Sequence, residues 1–162
     1  MMEVTSPIVA RDGMFYAMHS GDFAFMKELY DFLVRTEKLD DFLNEDGGDL
    51  IKNNIKYSLQ SYNVANYSGK LQVIKELSEL MFKQLPVKRQ IDTCNRLIDV
   101  SDSDDGTSLI YELHIIGLPS DVCAKLNLEF ISKRVSAGLT DWDVGCMFVG
   151  RQMEEELNAC ES

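Results

Sequence analysis

Between Asp22 and Arg35 the apolar residues Phe23, Met26, Leu29, Tyr30 and Leu33 return every three or four positions, the spacing that gathers one face of an α-helix. Leu71, Ile74, Leu77, Met81 and Leu85 repeat it. A third stripe runs through Val122, Leu126, Phe130 and Ile131, and a fourth through Trp142, Cys146, Val149, Met153 and Leu157. The period-two alternation of a half-buried strand is nearly absent. Thr140-Asp141-Trp142-Asp143 reads as a capping box opening the last helix, with Gly138 ending the one before it. Pro86 and Pro119 suit first helical turns, where a missing N–H is harmless. Polar loops fall at 45–49 and 101–106. The pattern predicts an all-α protein, a single domain over 1–162 with about seven to nine helices.

A 48-residue shift lays Ala17–Arg35 on Ala65–Lys83 with six identities, Ala17, Ser20, Gly21, Lys27, Glu28 and Leu29 against Ala65, Ser68, Gly69, Lys75, Glu76 and Leu77. Ordinary composition gives about one. A further step reaches Gly117, with Val122, Leu126 and Phe130 in register, and divides the chain into units near 14–61, 62–109 and 110–162. The element A-x-x-S-G followed by an apolar stripe resembles the ankyrin repeat, in which a short helix ends at a glycine turn and an antiparallel helix follows. Asp104-Asp105-Gly106-Thr107-Ser108-Leu109 looks like that family's entry to its first helix, with Ser108 in place of proline. The period exceeds the family's unit of about 33 residues. The resemblance implies antiparallel helix pairs stacked as a short ankyrin-like solenoid, closed by a long C-terminal helix. Gly21 and Gly69 are then expected at positive φ at helix ends.

Composition narrows the function. The 162 residues are 45% hydrophobic and carry a net charge of -11, enough chain to bury a core without disulfides or a structural metal. No apolar run reaches membrane-spanning length, and the opening residues lack a basic flank and long apolar stretch, so the expected setting is cytoplasmic with no membrane partner. Charge is uneven: -7 over 1–50, +4 over 51–100 and -8 over 101–162. Such a surface repels phosphate backbones, which argues against nucleic acid, and suits a protein partner with a basic surface.

Candidate chemistry is sparse. Cys94, Cys123, Cys146 and Cys160 match no metal or disulfide spacing and read as reduced thiols, and His19 and His114 are far apart. Laid on a calcium-loop template, 101–112 places Asp105, Gly106 and Glu112 correctly but serines at the first and third positions, so calcium is not expected. Neither another metal nor a cofactor is implied. These features predict a non-catalytic protein–protein interaction module, an acidic effector or inhibitor occupying a basic site on its partner. The resemblance places its contacts on the inner helices and adjoining loops: Tyr16, His19, Asn66, Tyr67, Asp102, Asp104 and Asp105. The alternative is a small hydrolase or transferase using His114 with Cys94 or Cys123, and a third reading is a structural subunit of a larger assembly. Thermal melts with and without chelator are expected to superimpose. A shift of several degrees would reveal a structural metal.

Overall fold

The computed structural model describes residues 6–44, 48–90, 93–100 and 107–152. Helices fill the N-terminal part: α1 Pro7–Ser20, α2 Phe23–Arg35, α3 Leu39–Leu43, α4 Gly48–Tyr67, α5 Leu71–Gln84 and α6 Val87–Gln90. Then come β1 Thr93–Asp99, β2 Leu109–Ile116, α7 Ser120–Ser136 and β3 Val144–Arg151. The protein is therefore α/β, and the all-α expectation is overturned by a three-stranded sheet of order β1-β2-β3.

The helical stripes at 22–35 and 71–85 form α2 and α5, each burying its apolar face: Phe23, Met26, Leu29 and Leu33 on one, Ile74, Leu77 and Met81 on the other. The turn joining α1 to α2 needs only two residues. Gly21, at φ 76°, donates its N–H to the Ala17 carbonyl, and the Asp22 side chain accepts from the Phe25 N–H to start the next helix. Gly69, at φ 70°, closes α4 before α5 in the same way. Both glycines thus hold the expected left-handed conformation at helix ends.

The two have different duties. A β-carbon at Gly21 would stand 2.6 Å from Ser78 Oγ and 2.9 Å from Tyr111 Oη, whereas one at Gly69 would meet nothing within 4 Å. Gly21 therefore permits a close approach of the α1 terminus to α5 and β2, and Gly69 supplies only a backbone conformation.

β1 pairs with β2 antiparallel, and β2 with β3 parallel through the α7 crossover. On the inner face Leu109, Tyr111, Leu113 and Ile115 of β2 are buried beside Val144 and Phe148 of β3. Phe130 of α7 meets Phe148 edge to face, centroids 5.8 Å apart. The opposite face carries Ile110, Glu112, His114 and Ile116 between Cys94, Arg96 and Ile98 on one side and Met147 and Val149 on the other.

Three expectations fail here for one reason. β2 is buried on its inner face and half-buried on most of its outer one, so L-I-Y-E-L-H-I-I is apolar on both faces at its ends and alternates only across Tyr111–Ile115, too short a stretch to stand out as a strand. In β3, Val144 and Phe148 point inward while Met147 and Val149 point outward, and this two-sided apolarity imitates a helical stripe. The long closing helix is thus a strand over 144–151, and the third unit starts on β2, with Gly117 at φ 71° ending a strand rather than a helix. Nor does 140–143 cap a helix. Asp141 and Asp143 hold Lys70 at 2.6 and 3.6 Å, and Asp143 accepts from Ser108 at 2.6 Å, tying the α7–β3 connection to the α4–α5 turn. Met153 and Leu157 lie outside the described residues.

Gly21→Ala is expected to cost about 2–4 kcal/mol, from strained φ plus overpacking, and Gly69→Ala about 1 kcal/mol. Urea denaturation of both variants measures the difference. Equal losses would mean that the Ser78 and Tyr111 contact is dispensable.

Candidate functional site

The expected contact residues do not converge on one surface. Tyr16 on α1 is 74% exposed and Tyr67, ending α4, is 94% exposed, with Asn66 exposed beside it. His19, on the last turn of α1, faces a cleft between α4 and β1. Asp102, Asp104 and Asp105 fall outside the described residues. Of the calcium template Glu112 is described, and its carboxylate is engaged with His114 inside the sheet.

The Cys/His pairings separate clearly. Cys94 and His114 are cross-strand partners, directly opposite in the β1–β2 ladder. His114 is nearly fully buried, 5% exposed. Arg151 Nε–H donates to its Nδ1 at 2.8 Å, so Nδ1 carries a lone pair, and the ring proton lies on Nε2, 3.0 Å from Glu112 Oε1. Both ring nitrogens are committed, and neither serves as a base for a thiol. The His114 hydrogen bond holds the Glu112 carboxyl below its usual range, opposed by burial and helped by the nearby charges of Arg96 and Arg151.

The other described thiols are poor nucleophiles. Burial raises Cys123, at the start of α7, above its ordinary value and pushes Cys146 up to about 12 despite the nearby Arg134. Arg134 is itself buried and donates to the carbonyls of Leu139 and Asp141 while stacking on Trp142, 4.4 Å from the ring centroid. Trp142, read from sequence as a helical stripe residue, is the lid on this arginine. Among the described residues no group of three His, Cys, Asp or Glu could hold a metal ion.

The sheet edges differ. Asn127 of α7 covers β3, its amide accepting from the Phe148 N–H at 2.7 Å and donating to the Phe148 carbonyl at 3.2 Å. At β1, the Val100 N–H reaches the Ser108 carbonyl in register, so even-numbered residues bond β2 and odd-numbered ones turn their backbone groups outward. The Thr93 carbonyl is met by His19 Nδ1–H at 3.2 Å, and the Asn95 amide donates to the Met18 carbonyl at 2.6 Å. Desolvation lowers the His19 pKa, against the opposing pull of the Thr93 carbonyl, and favours a neutral ring. Beyond these contacts the β1 edge borders the cleft, of about 770 Å³, whose other wall is α4.

α7 presents a second feature. Cys123, Phe130 and Arg134 are buried, yet Leu128, Ile131 and Val135 on the opposite side are 71%, 54% and 54% exposed. A helix apolar on both faces is the pattern of an element covered on both. Comparison of the chain with protein-family models, with curated proteins and with solved structures found no match.

Sequence reasoning missed Arg151 and Glu112 because their meeting depends on strand register. It passed over the α7 stripe because Ile131 was assigned to the same apolar face as Phe130.

Because the native Glu112 pKa lies below its ordinary 4.5, the unfolded chain binds more protons between the two values. The stability this carboxylate contributes is complete above about pH 4.5 and is lost as pH falls through the lowered native value. Glu112→Gln is expected to cost about 1–2 kcal/mol at pH 7 and to flatten the acid limb of the stability curve. Denaturation from pH 7 to pH 3 reads both, and parallel curves would show that Glu112 is not linked.

Proposed function

We propose that this protein is a non-catalytic protein-binding module that docks through the outer face of α7. The observation that carries the reading is the row Leu128, Ile131 and Val135, spaced three and four residues apart and exposed on a helix whose other face is already in the core. Apolar side chains in such a row favour a protein surface that removes them from water. The mixed charges beside them, Lys125, Glu129 and Lys133, can form a polar rim.

The net charge of -11 supports a partner with a basic surface and an effector or inhibitor role in the cytoplasm. Tyr16 and Tyr67, both largely exposed, stay as additional candidate contacts, with His19 and Asn66 near the same helix ends. An ankyrin-like origin of α1–α2 and α4–α5 belongs to this proposal, supported by the glycine turn at the same point of each pair. Among the described residues no helix is long and apolar enough to cross a membrane. The hydrolase alternative is weaker because His114 spends both nitrogens on Glu112 and Arg151.

Leu128→Glu combined with Ile131→Glu tests the reading. Both positions are exposed, so the melting temperature is expected to stay within a few degrees of wild type. A protein recovered by wild type from native lysate, and confirmed to bind directly when purified, is expected to lose at least about tenfold in affinity, more than 1.4 kcal/mol. A partner bound equally by both proteins would remove α7 from the interface.

A further inference from the structure

The α4–β1 cleft lies mostly in the 51–100 segment, the only third of this acidic chain with a positive balance. Among the described residues its walls carry Arg96 and Arg151 and no carboxylate. Among the described residues Glu112, opposite Arg96 on the same sheet face, is the acid hydrogen-bonded to the lining residue His114. Arg96 and Arg151 thus bring two positive charges to the cavity wall, against the carboxylate of Glu112 beside them.

Arg151 is also oriented. Its Nε is spent on His114, which fixes the plane of the guanidinium and leaves the terminal nitrogens as a fork. Arg96, on the edge strand, is exposed and points from the same sheet face, since it pairs with Glu112 as Cys94 pairs with His114. Lys56 stands one helical turn before Gln60, a residue of the α4 wall, and adds positive charge at the rim.

The remaining lining suits an uncharged polar body. Asn54, Ser61 and Asn63 of α4 offer amide and hydroxyl groups, and Tyr57 an aromatic face. His19, with Nδ1–H given to Thr93, has Nε2 left as an acceptor. A volume of about 770 Å³ falls within the usual range for small-molecule sites, about 300–1,000 Å³.

We propose that this cleft binds a small polar molecule through a terminal oxyanion, a phosphoryl or carboxylate group gripped by Arg96 and Arg151. Planar forks match both anions in two-point geometry. The overall charge of -11 does not forbid it, because acids farther off than about 8 Å are screened at physiological salt, whereas Arg96 and Arg151 line the cleft itself. A polyanion such as nucleic acid would still meet the acidic remainder of the surface. The site is independent of docking through α7.

The test is a titration followed by amide resonances of the full chain, at constant ionic strength, with three probes: a nucleoside 5′-monophosphate, the same nucleoside without phosphate, and citrate. Saturable shifts centred on Asn54, Asn63 and Arg96 are expected with the monophosphate, with citrate, or with both, and which responds identifies the anion. Arg96→Gln, an exposed change that should leave the spectrum otherwise folded, is expected to weaken binding at least about tenfold. Arg151→Gln should do the same. No saturable shift with either anion up to about 10 mM, equal binding of the unphosphorylated nucleoside, or unchanged affinity in Arg96→Gln would each overturn the proposal.

Discussion

The helical half and the sheet are held together at one crowded junction, where Gly21, Ser78 and Tyr111 meet. Tyr111 is fully buried at the centre of β2, so its hydroxyl must find a partner inside the protein. Ser78 of α5, equally buried, has one proton and donates it to the Ser20 carbonyl at the end of α1. The Tyr111 O–H therefore donates to Ser78 Oγ, 2.9 Å away, and desolvation drives the Tyr111 pKa far above its ordinary value. The end of α1, the middle of α5 and the central strand are linked through two hydroxyls. Only a residue without a β-carbon lets them come this close. A register slip of β2 by one position would turn Tyr111 to the other face and leave Ser78 without it.

The same economy governs three further polar side chains of the interior and its seams. Arg134 is satisfied by backbone carbonyls, Asn127 by both backbone groups of Phe148, and His114 by Glu112 and Arg151. Each fixes a seam: α7 to the turn before β3, α7 to the β3 edge, and β2 to the end of β3. Side chains committed in this way hold architecture in place and have little freedom for proton transfer. Cys94 and His114 are adjacent across two strands, yet both ring nitrogens of His114 are turned to Glu112 and Arg151.

What these seams leave open defines the functional surfaces. With the β3 edge covered by Asn127, the β1 edge is the one beside an open cleft, and there Arg151 is steadied by the contact that occupies His114. α7 gives one apolar side to the core and leaves Leu128, Ile131 and Val135 exposed on another, the surface proposed for a partner. The cleft is lined from α4, the strands and the end of α1, whereas the exposed row lies on α7, which contributes no residue to that lining.

The helices were legible because their determinants are local. The stripe of Phe23, Met26, Leu29 and Leu33 and the left-handed glycines at 21 and 69 follow from spacing and backbone sterics within a few residues. The concentration of positive charge in 51–100 was likewise visible. The strands were not, because apolar residues on both faces shorten the alternation by which a strand is recognised, and L-I-Y-E-L-H-I-I and V-G-C-M-F-V-G-R acquire their meaning only from each other. The candidate site was legible only in fragments. His19 and His114 stood out as residue types, but register brings Arg151 to His114 and α4 packing brings Asn54 into the same cleft as Arg96. Sequence by itself determined where the chain could coil and where it carries charge. Tertiary structure decided which apolar runs extend and pair, and which cations share a cleft, because those outcomes depend on partners tens of residues away.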